Sequence, residues 1–353
     1  MTKPTYKNVH HKFKLNGFHF TKEDLCRVAF SYIKEGTEFE KLLGSFILDW
    51  FDEKSYLEIM TSGTTGKPKT IRIEKQAMVN SALATGAFFE LQSGDKALNC
   101  LPVKYIAGKM MLVRAFILGL DLDFVAPTSE PMNRNKNNYN FVAMVPLQVE
   151  NSLTQLHQIK KLIIGGAKMN NDLEKKLIQS KCNVFETYSM TETVTHIAVK
   201  KIGEKAFTIL PNISISKDDR NCLVIAAPNL NVKNIVTNDV VELVSDNQFI
   251  WLGRQDNVIN SGGIKLFPEQ IEAKLSSKIS NRFFVAGIPD KKLGEQLILF
   301  IEANPYEIES SFFDDLDKYE KPKQIKFIPD FIETETGKIK RNEIVALWGS
   351  NKD

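Results

Sequence analysis

Nine residues, Thr61 to Lys69 (TSGTTGKPK), gather four hydroxyls, two glycines and two lysines into one short run. Glycines let a backbone come close to an anion, hydroxyls and amide N–H groups donate to it, and lysines add positive charge. Such a loop can hold a β/γ-phosphate or stabilise departing pyrophosphate. It is not a Walker A loop: only Thr64 and Thr65 separate Gly63 from Gly66, whereas that motif runs G-x-x-x-x-G-K. The same residues suit a plain surface turn. The run therefore needs a supporting architecture and companion motifs before it means chemistry.

The elements around it alternate. Lys54 to Met60 reads as a strand leading into the loop, and a helix is expected near Lys75 to Phe89. Ala97–Leu101, Leu122–Val125, Phe141–Val145, Lys161–Ile164 and Asn183–Glu186 read as strands with helices between them, including an apolar helix over 108–120. The polar run Asn133 to Asn140 is placed between a strand and the following helix. This rhythm predicts an α/β sheet covered by helices. From about Gly203 the texture turns β-rich, with short strands at 207–216, 221–226, 240–244 and 248–252. A compact α+β unit is expected from near Gln255, with a helix over Pro268–Lys278, strands at 282–287 and 297–302, and a helix over Ser310–Leu316.

Bulk properties remove several classes of function. A chain of 353 residues exceeds one ordinary core and predicts about two or three domains. Basic and acidic side chains nearly balance, 46 against 43, which gives no reason to expect a nucleic-acid or anionic-membrane partner. The first residues lack a signal-peptide apolar core, and the most apolar run, Met110 to Leu120, contains Arg114 and is too short to span a bilayer. A cytoplasmic protein is expected. Cys26, Cys100, Cys182 and Cys222 are scattered, and neither HExxH nor HxH occurs, so a disulfide framework and a transition-metal site both lack support.

Companion motifs do follow the loop. Gly165-Gly166-Ala167 closes an apolar strand; Tyr188-Ser189-Met190-Thr191-Glu192-Thr193, Thr237-Asn238-Asp239, Gly253-Arg254-Gln255-Asp256 and Thr336-Gly337-Lys338-Ile339-Lys340-Arg341 come later in that order. Alone, each reads as a turn, an exposed acid or a basic loop. Together with TSGTTGKPK they resemble the ordered signatures of the adenylate-forming (acyl-CoA synthetase, AMP-binding) superfamily, and within it the compact o-succinylbenzoate–CoA ligases of menaquinone biosynthesis. Ser189 and Asn238 stand where that family carries Gly; Asn tolerates a positive φ, so a turn at 238 is expected to survive.

The resemblance implies a shortened N-terminal AMP-binding domain over 1–254, with its β-rich subdomain at about 203–254, and a small mobile C-terminal domain over 255–353. It implies ATP contacts from Thr61, Ser62, Gly63, Thr64, Thr65, Gly66 and Lys69, from Gly165, Gly166 and Ala167 against adenine, from Tyr188, and from Asp239 and Arg254. Thr191 would bind phosphate and Glu192 would bind Mg²⁺, for which one carboxylate with substrate phosphates suffices. Lys338 would carry the adenylation step, Asp256 would be the hinge, and Ser261, Gly262 and Gly263 would line the channel for coenzyme A.

The reaction so implied makes an acyl-AMP from an acid and ATP, then a thioester. The stretches Leu101–Arg114 and Thr191–Ala198 carry the likeness to the succinylbenzoate enzymes, although Tyr105 stands where many relatives have His. A second carboxylate on the acid would need a partner; Lys109 and Arg114 are candidates, with Tyr105 and His196 as further candidates for the acyl pocket. Other readings stay open: a ligase for another aryl or short aliphatic acid, an activating domain serving a carrier protein, and a nucleotide-binding relative without turnover. No carrier domain follows residue 353, which counts against the second. A homodimer is left open.

Overall fold

The computed structural model describes residues 3–60, 70–167, 169–333 and 339–350. The apolar runs pair in parallel, in the spatial order Lys14–Leu15, Asp121–Phe124, Lys96–Asn99, Tyr139–Met144, Ile159–Ile164 and Asn183–Ser189. Strands covered on both faces are apolar throughout, as Phe141, Val142 and Leu162, all fully buried, illustrate. The helix Ile106–Leu118 is apolar almost all round because it lies in this core, with Met110 to Phe116 buried. It stops where Gly119 takes a φ of 74° and its N–H bonds the Ala115 carbonyl.

Beyond Asn183–Ser189 the same sheet continues with the opposite pairing. His196–Lys201, Phe207–Ile209, Gln248–Arg254, Val232–Ser245, Cys222–Ala227 and Ser214–Lys217 add antiparallel strands, and with Phe18–His19 antiparallel to Lys14–Leu15 at the other edge they bring the sheet to thirteen. The β-rich stretch expected at 203–254 is therefore no separate sheet, and antiparallel pairing begins earlier, at His196. Short connections permit only antiparallel neighbours, so the change of pairing follows from the loss of crossover helices.

Three local readings need correction. The loop 61–69 leads into a strand before any helix: Tyr56–Met60 and Thr70–Glu74 form an antiparallel pair with Met60 opposite Thr70, and the helix Lys75–Phe88 follows. Lys75 is fully buried there with its ammonium 2.6 Å from Asp52 Oδ1. The polar run at 133–138 leads into the strand Tyr139–Met144, not a helix, and Asn137 and the Tyr139 hydroxyl both donate to Asp123. Ser310–Leu316 shrinks to a single 3-10 turn, Ser310–Phe313.

The N-terminal segment holds two helices that periodicity alone did not reveal, Lys22–Glu35 and Glu38–Phe51. Thr21 and Asp24 cap the first reciprocally, and the Thr37 N–H donates to Glu40 at the start of the second. Past Arg254 the chain builds its own sheet from Ile259–Ser261, Ile264–Leu266, Phe283–Asp290, Gly294–Glu302 and Gln324–Ile328. Its cores, around Ile271 and Leu299 on one side and Phe284 and Phe300 on the other, are distinct from that of the large sheet.

Candidate active site

Two of the motifs follow the carboxyl ends of neighbouring parallel strands, the edge where open α/β sheets bind ligands. Gly165-Gly166-Ala167 succeeds Ile159–Ile164, and Met190 to Thr193 succeeds Asn183–Ser189, with Ile164 opposite Glu186. The Thr187 hydroxyl donates to the Ile164 carbonyl at 3.0 Å and lies where a side chain at Gly165 would sit: a Cβ there would meet it at 2.4 Å. Thus Gly165 is required by its neighbour strand, and Gly166 by its φ of 82°.

The Tyr188, Asp239 and Arg254 side chains also meet, although the strand of Tyr188 pairs with neither of the other two. The Tyr188 hydroxyl donates to Asp239 Oδ2 at 2.6 Å, and its ring stands edge-on to Phe207 and Phe249. Burial, and then the Asp239 charge, push the phenol well above its usual range. Asp239 is paired in register with Arg254, whose guanidinium lies 3.7 Å from Asp239 and 3.7 Å from Asp256. Thr237 accepts the Asp239 N–H, and Asn238 donates to Asp256. The turn expected at Asn238 is absent: residues 237–239 lie inside the strand Val232–Ser245, and Asn238 has no positive φ. Extended backbone places Thr237 and Asp239 on one side and Asn238 on the other, so no glycine is needed.

Thr191 opens a short 3-10 turn, Thr191–Thr193, with Glu192 exposed on it. Among the described residues the Glu192 carboxylate has no hydrogen bond or ion pair. The turn is fixed by Thr193, fully buried, whose hydroxyl reaches the carbonyls of Met190 and Thr195 at 2.9 Å each. Val194 then adopts a φ of 68°, a costly conformation for a β-branched residue. Sequence reading missed Thr193; its only signal was a hydroxyl residue beside an acid on a strand-following turn. Thr61, Ser62, Gly63, Thr64, Thr65, Gly66, Lys69 and Lys338 lie outside the described residues.

A second cluster sits close behind. Arg114, 2% exposed, projects from its helix to within 3.4 Å of the Thr195 hydroxyl and 3.4 Å of His196 Nδ1. No carboxylate faces it among the described residues; its Nε and His196 Nε2 are buried without partners. Burial lowers the guanidinium to about 9, which leaves it charged at neutral pH. Burial, and then Arg114, hold His196 well below the usual imidazole range. Lys109 does not join them. Five residues from Arg114 it points elsewhere around the helix, its ammonium 5.0 Å from the Phe46 ring centroid. Tyr105 caps the helix start, 53% exposed, and does not line the Arg114–His196 cluster.

This pair predicts an acid sensitivity. The folded state keeps His196 neutral, whereas the unfolded chain protonates it near 6.5, so the unfolded state binds more protons as pH falls below that value. Its contribution to stability should then decline by about 1.4 kcal/mol per pH unit below 6.5, until the folded chain also takes the proton. Denaturant titrations across this range should show His196→Asn flattening that slope; an unchanged slope would place the titration elsewhere.

Comparisons with known proteins give the family and the fold. The family model for AMP-binding enzyme matches residues 52–226. A solved acyl-CoA synthetase (AMP-forming)/AMP-acid ligase II-like protein from Dyadobacter fermentans is 35% identical, with 90% of this chain and 96% of that chain covered and a TM-score of 0.62. The chain belongs to the adenylate-forming, AMP-binding enzymes. The 2-succinylbenzoate–CoA ligase of Lactococcus lactis is 25% identical, over 85% of this chain and 73% of its own length. The o-succinylbenzoate coenzyme A synthetase of Bacillus subtilis, solved with ATP and magnesium ion, shares the fold at 19% identity, with a TM-score of 0.68 and coverage of 92% and 82%.

In this member of the family, Ser261 ends one short strand and Gly262 and Gly263 turn the chain into the next, and the Gly262 N–H bonds the Leu293 carbonyl within the same C-terminal unit. Asp256 occupies the 3-10 turn Gln255–Asn257, between the large sheet and that unit. No group of three or more His, Cys, Asp or Glu side chains among the described residues could hold a metal, and no helix there is long and apolar enough to cross a membrane.

Proposed function

We propose that this enzyme is an AMP-forming acid–CoA ligase acting on 2-succinylbenzoate, and that its product serves menaquinone biosynthesis in the cytoplasm. The observation that carries the choice of acid is Arg114. A buried guanidinium with no carboxylate against it among the described residues is costly in the free protein. It becomes favourable when a ligand supplies the anion, and a dicarboxylic acid has one carboxylate to activate and one to spare. Thr195 and His196 supply polar neighbours, three and four residues after Glu192. The Lactococcus lactis relative carries the matching name.

In the reaction, the acid's free carboxylate oxygen attacks the α-phosphorus of ATP, and the bond to pyrophosphate breaks. Asp239 accepts the ribose hydroxyls, Tyr188 lies against the adenine beside Gly165-Gly166-Ala167, and Arg254 holds ribose or phosphate. Residues 61–69 receive the phosphates. Glu192, exposed and unpaired among the described residues, suits a hard cation, so it would hold the Mg²⁺ arriving with ATP. When bound, that ion neutralises phosphate charge. Most of the acceleration is positioning and electrostatics. The coenzyme A thiolate then attacks the acyl carbon past Ser261-Gly262-Gly263, forming the C–S bond as AMP leaves.

Pyrophosphate release screened over 2-succinylbenzoate, benzoates and short aliphatic acids tests the proposal, with thioester products weighed by mass spectrometry. 2-Succinylbenzoate should give the largest signal and a 2-succinylbenzoyl-CoA product. No signal above the acid-free rate would remove this acid, and a stronger aryl or aliphatic acid would replace it.

A further inference from the structure

The first helix of the C-terminal unit, Pro268–Leu275, docks on the last strand of the large sheet through two adjacent side chains of opposite effect. Gln270 donates its amide to two carbonyls across the junction, Trp251 and Leu252, at 3.0 Å each. Glu269 is 8% exposed, and its Oε1 accepts from the Asn257 side chain at 2.6 Å and from the Arg254 N–H at 3.4 Å. Its other oxygen is buried without a partner among the described residues. That oxygen lies against bare backbone, for a Cβ on Gly253 would come within 2.4 Å of it. Farther along the helix, the Asn171 side chain donates to the Ala273 carbonyl.

A rotation at Asp256 must break the contacts from Gln270, the Arg254 contact and the Asn171 contact, while Asn257 travels with Glu269. We infer that Gln270 and Glu269 are opposed positioning residues that set how long the C-terminal unit stays in the orientation seen here. Gln270 holds it, because undocking gives up two direct hydrogen bonds that span the junction. Glu269 loosens it, because docking strips water from a carboxylate oxygen and offers no donor in exchange. A contact made of one hold and one counterweight keeps two orientations close in free energy, as repeated alternation requires. The inference rests on the reading that the C-terminal unit turns about Asp256 during the reaction, presenting Lys338 for adenylation in one orientation and Ser261-Gly262-Gly263 for thioester formation in the other.

The experiment measures both half-reactions, acyl-AMP formation and thioester formation from supplied acyl-AMP, in Gln270→Ala and Glu269→Gln. Gln270→Ala should slow the half-reaction run in the docked orientation and speed the other, changing their ratio by at least about fivefold. Glu269→Gln keeps the acceptor and removes the buried charge, so the ratio should move the opposite way. A merely structural role would lower both rates together, and shifts of the same sign in the two variants would overturn the inference. Energy transfer between dyes at Lys160→Cys and Lys318→Cys, with Cys26 replaced by serine, reads the orientation without substrate and should follow the same opposite signs. Lys338→Ala run alongside separates the two failures. If it loses both half-reactions, the two-orientation reading falls, and the dye distances alone judge the docking pair; unchanged distances in both variants would sink it.

Discussion

Lys338→Ala is expected to cut acyl-AMP formation by at least about 10²–10³-fold while leaving thioester formation from supplied acyl-AMP within a few-fold of the parent. The lysine's positive charge is wanted where negative charge grows during attack at phosphorus, so its effect falls on the transition state and not on substrate binding. The residues flanking its segment are firmly held. Glu333 bridges Ile339 across it and is paired with Arg282. On the far side the Arg341 guanidinium donates to Glu272 at 2.9 Å and lies over the Phe284 ring. Rapid-quench measurement of each half-reaction decides the matter. Equal losses in both would show that Lys338 does not act in adenylation alone.

Arg114→Met is expected to do two things at once. For a dicarboxylic acid, kcat/KM should fall by about 10²–10³-fold, chiefly through KM, because a desolvated charge pair is lost. A monocarboxylic aryl acid should be nearly indifferent to the change. The ligand-free protein should meanwhile gain about 1–4 kcal/mol, since a buried cation with no counter-charge among the described residues is replaced by an apolar side chain of similar length. Steady-state kinetics with both acids and a denaturation midpoint check the pair. A variant that is less stable and equally poor with every acid would mean that Arg114 is a structural residue.

The parallel sheet was legible in the sequence because strands buried on both faces are written as apolar runs, and Phe141–Met144 and Leu162–Ile164 leave little choice. The strand Thr70–Glu74 was not, since TIRIE carries charges on its open face and is short. Motif order led to Tyr188, Asp239 and Arg254, but Tyr188 and Asp239 meet from strands that do not pair with each other, which no local pattern records. Arg114 was noticeable as a lone cation in MMLVRAFIL; Lys109, on the same helix, was separated from it only by helical geometry. Thr193 and the strained Val194 were invisible, because hydroxyl bridging and a positive φ at valine contradict what those residue types usually do.

ATP–pyrophosphate exchange, followed with and without 2-succinylbenzoate, bears most directly on whether these separated motifs make one adenylating site. Exchange should need the acid, need Mg²⁺, proceed without coenzyme A and disappear in Lys338→Ala. Exchange absent with every acid, in a chain that still binds ATP, would contradict that expectation and leave a nucleotide-binding protein without turnover.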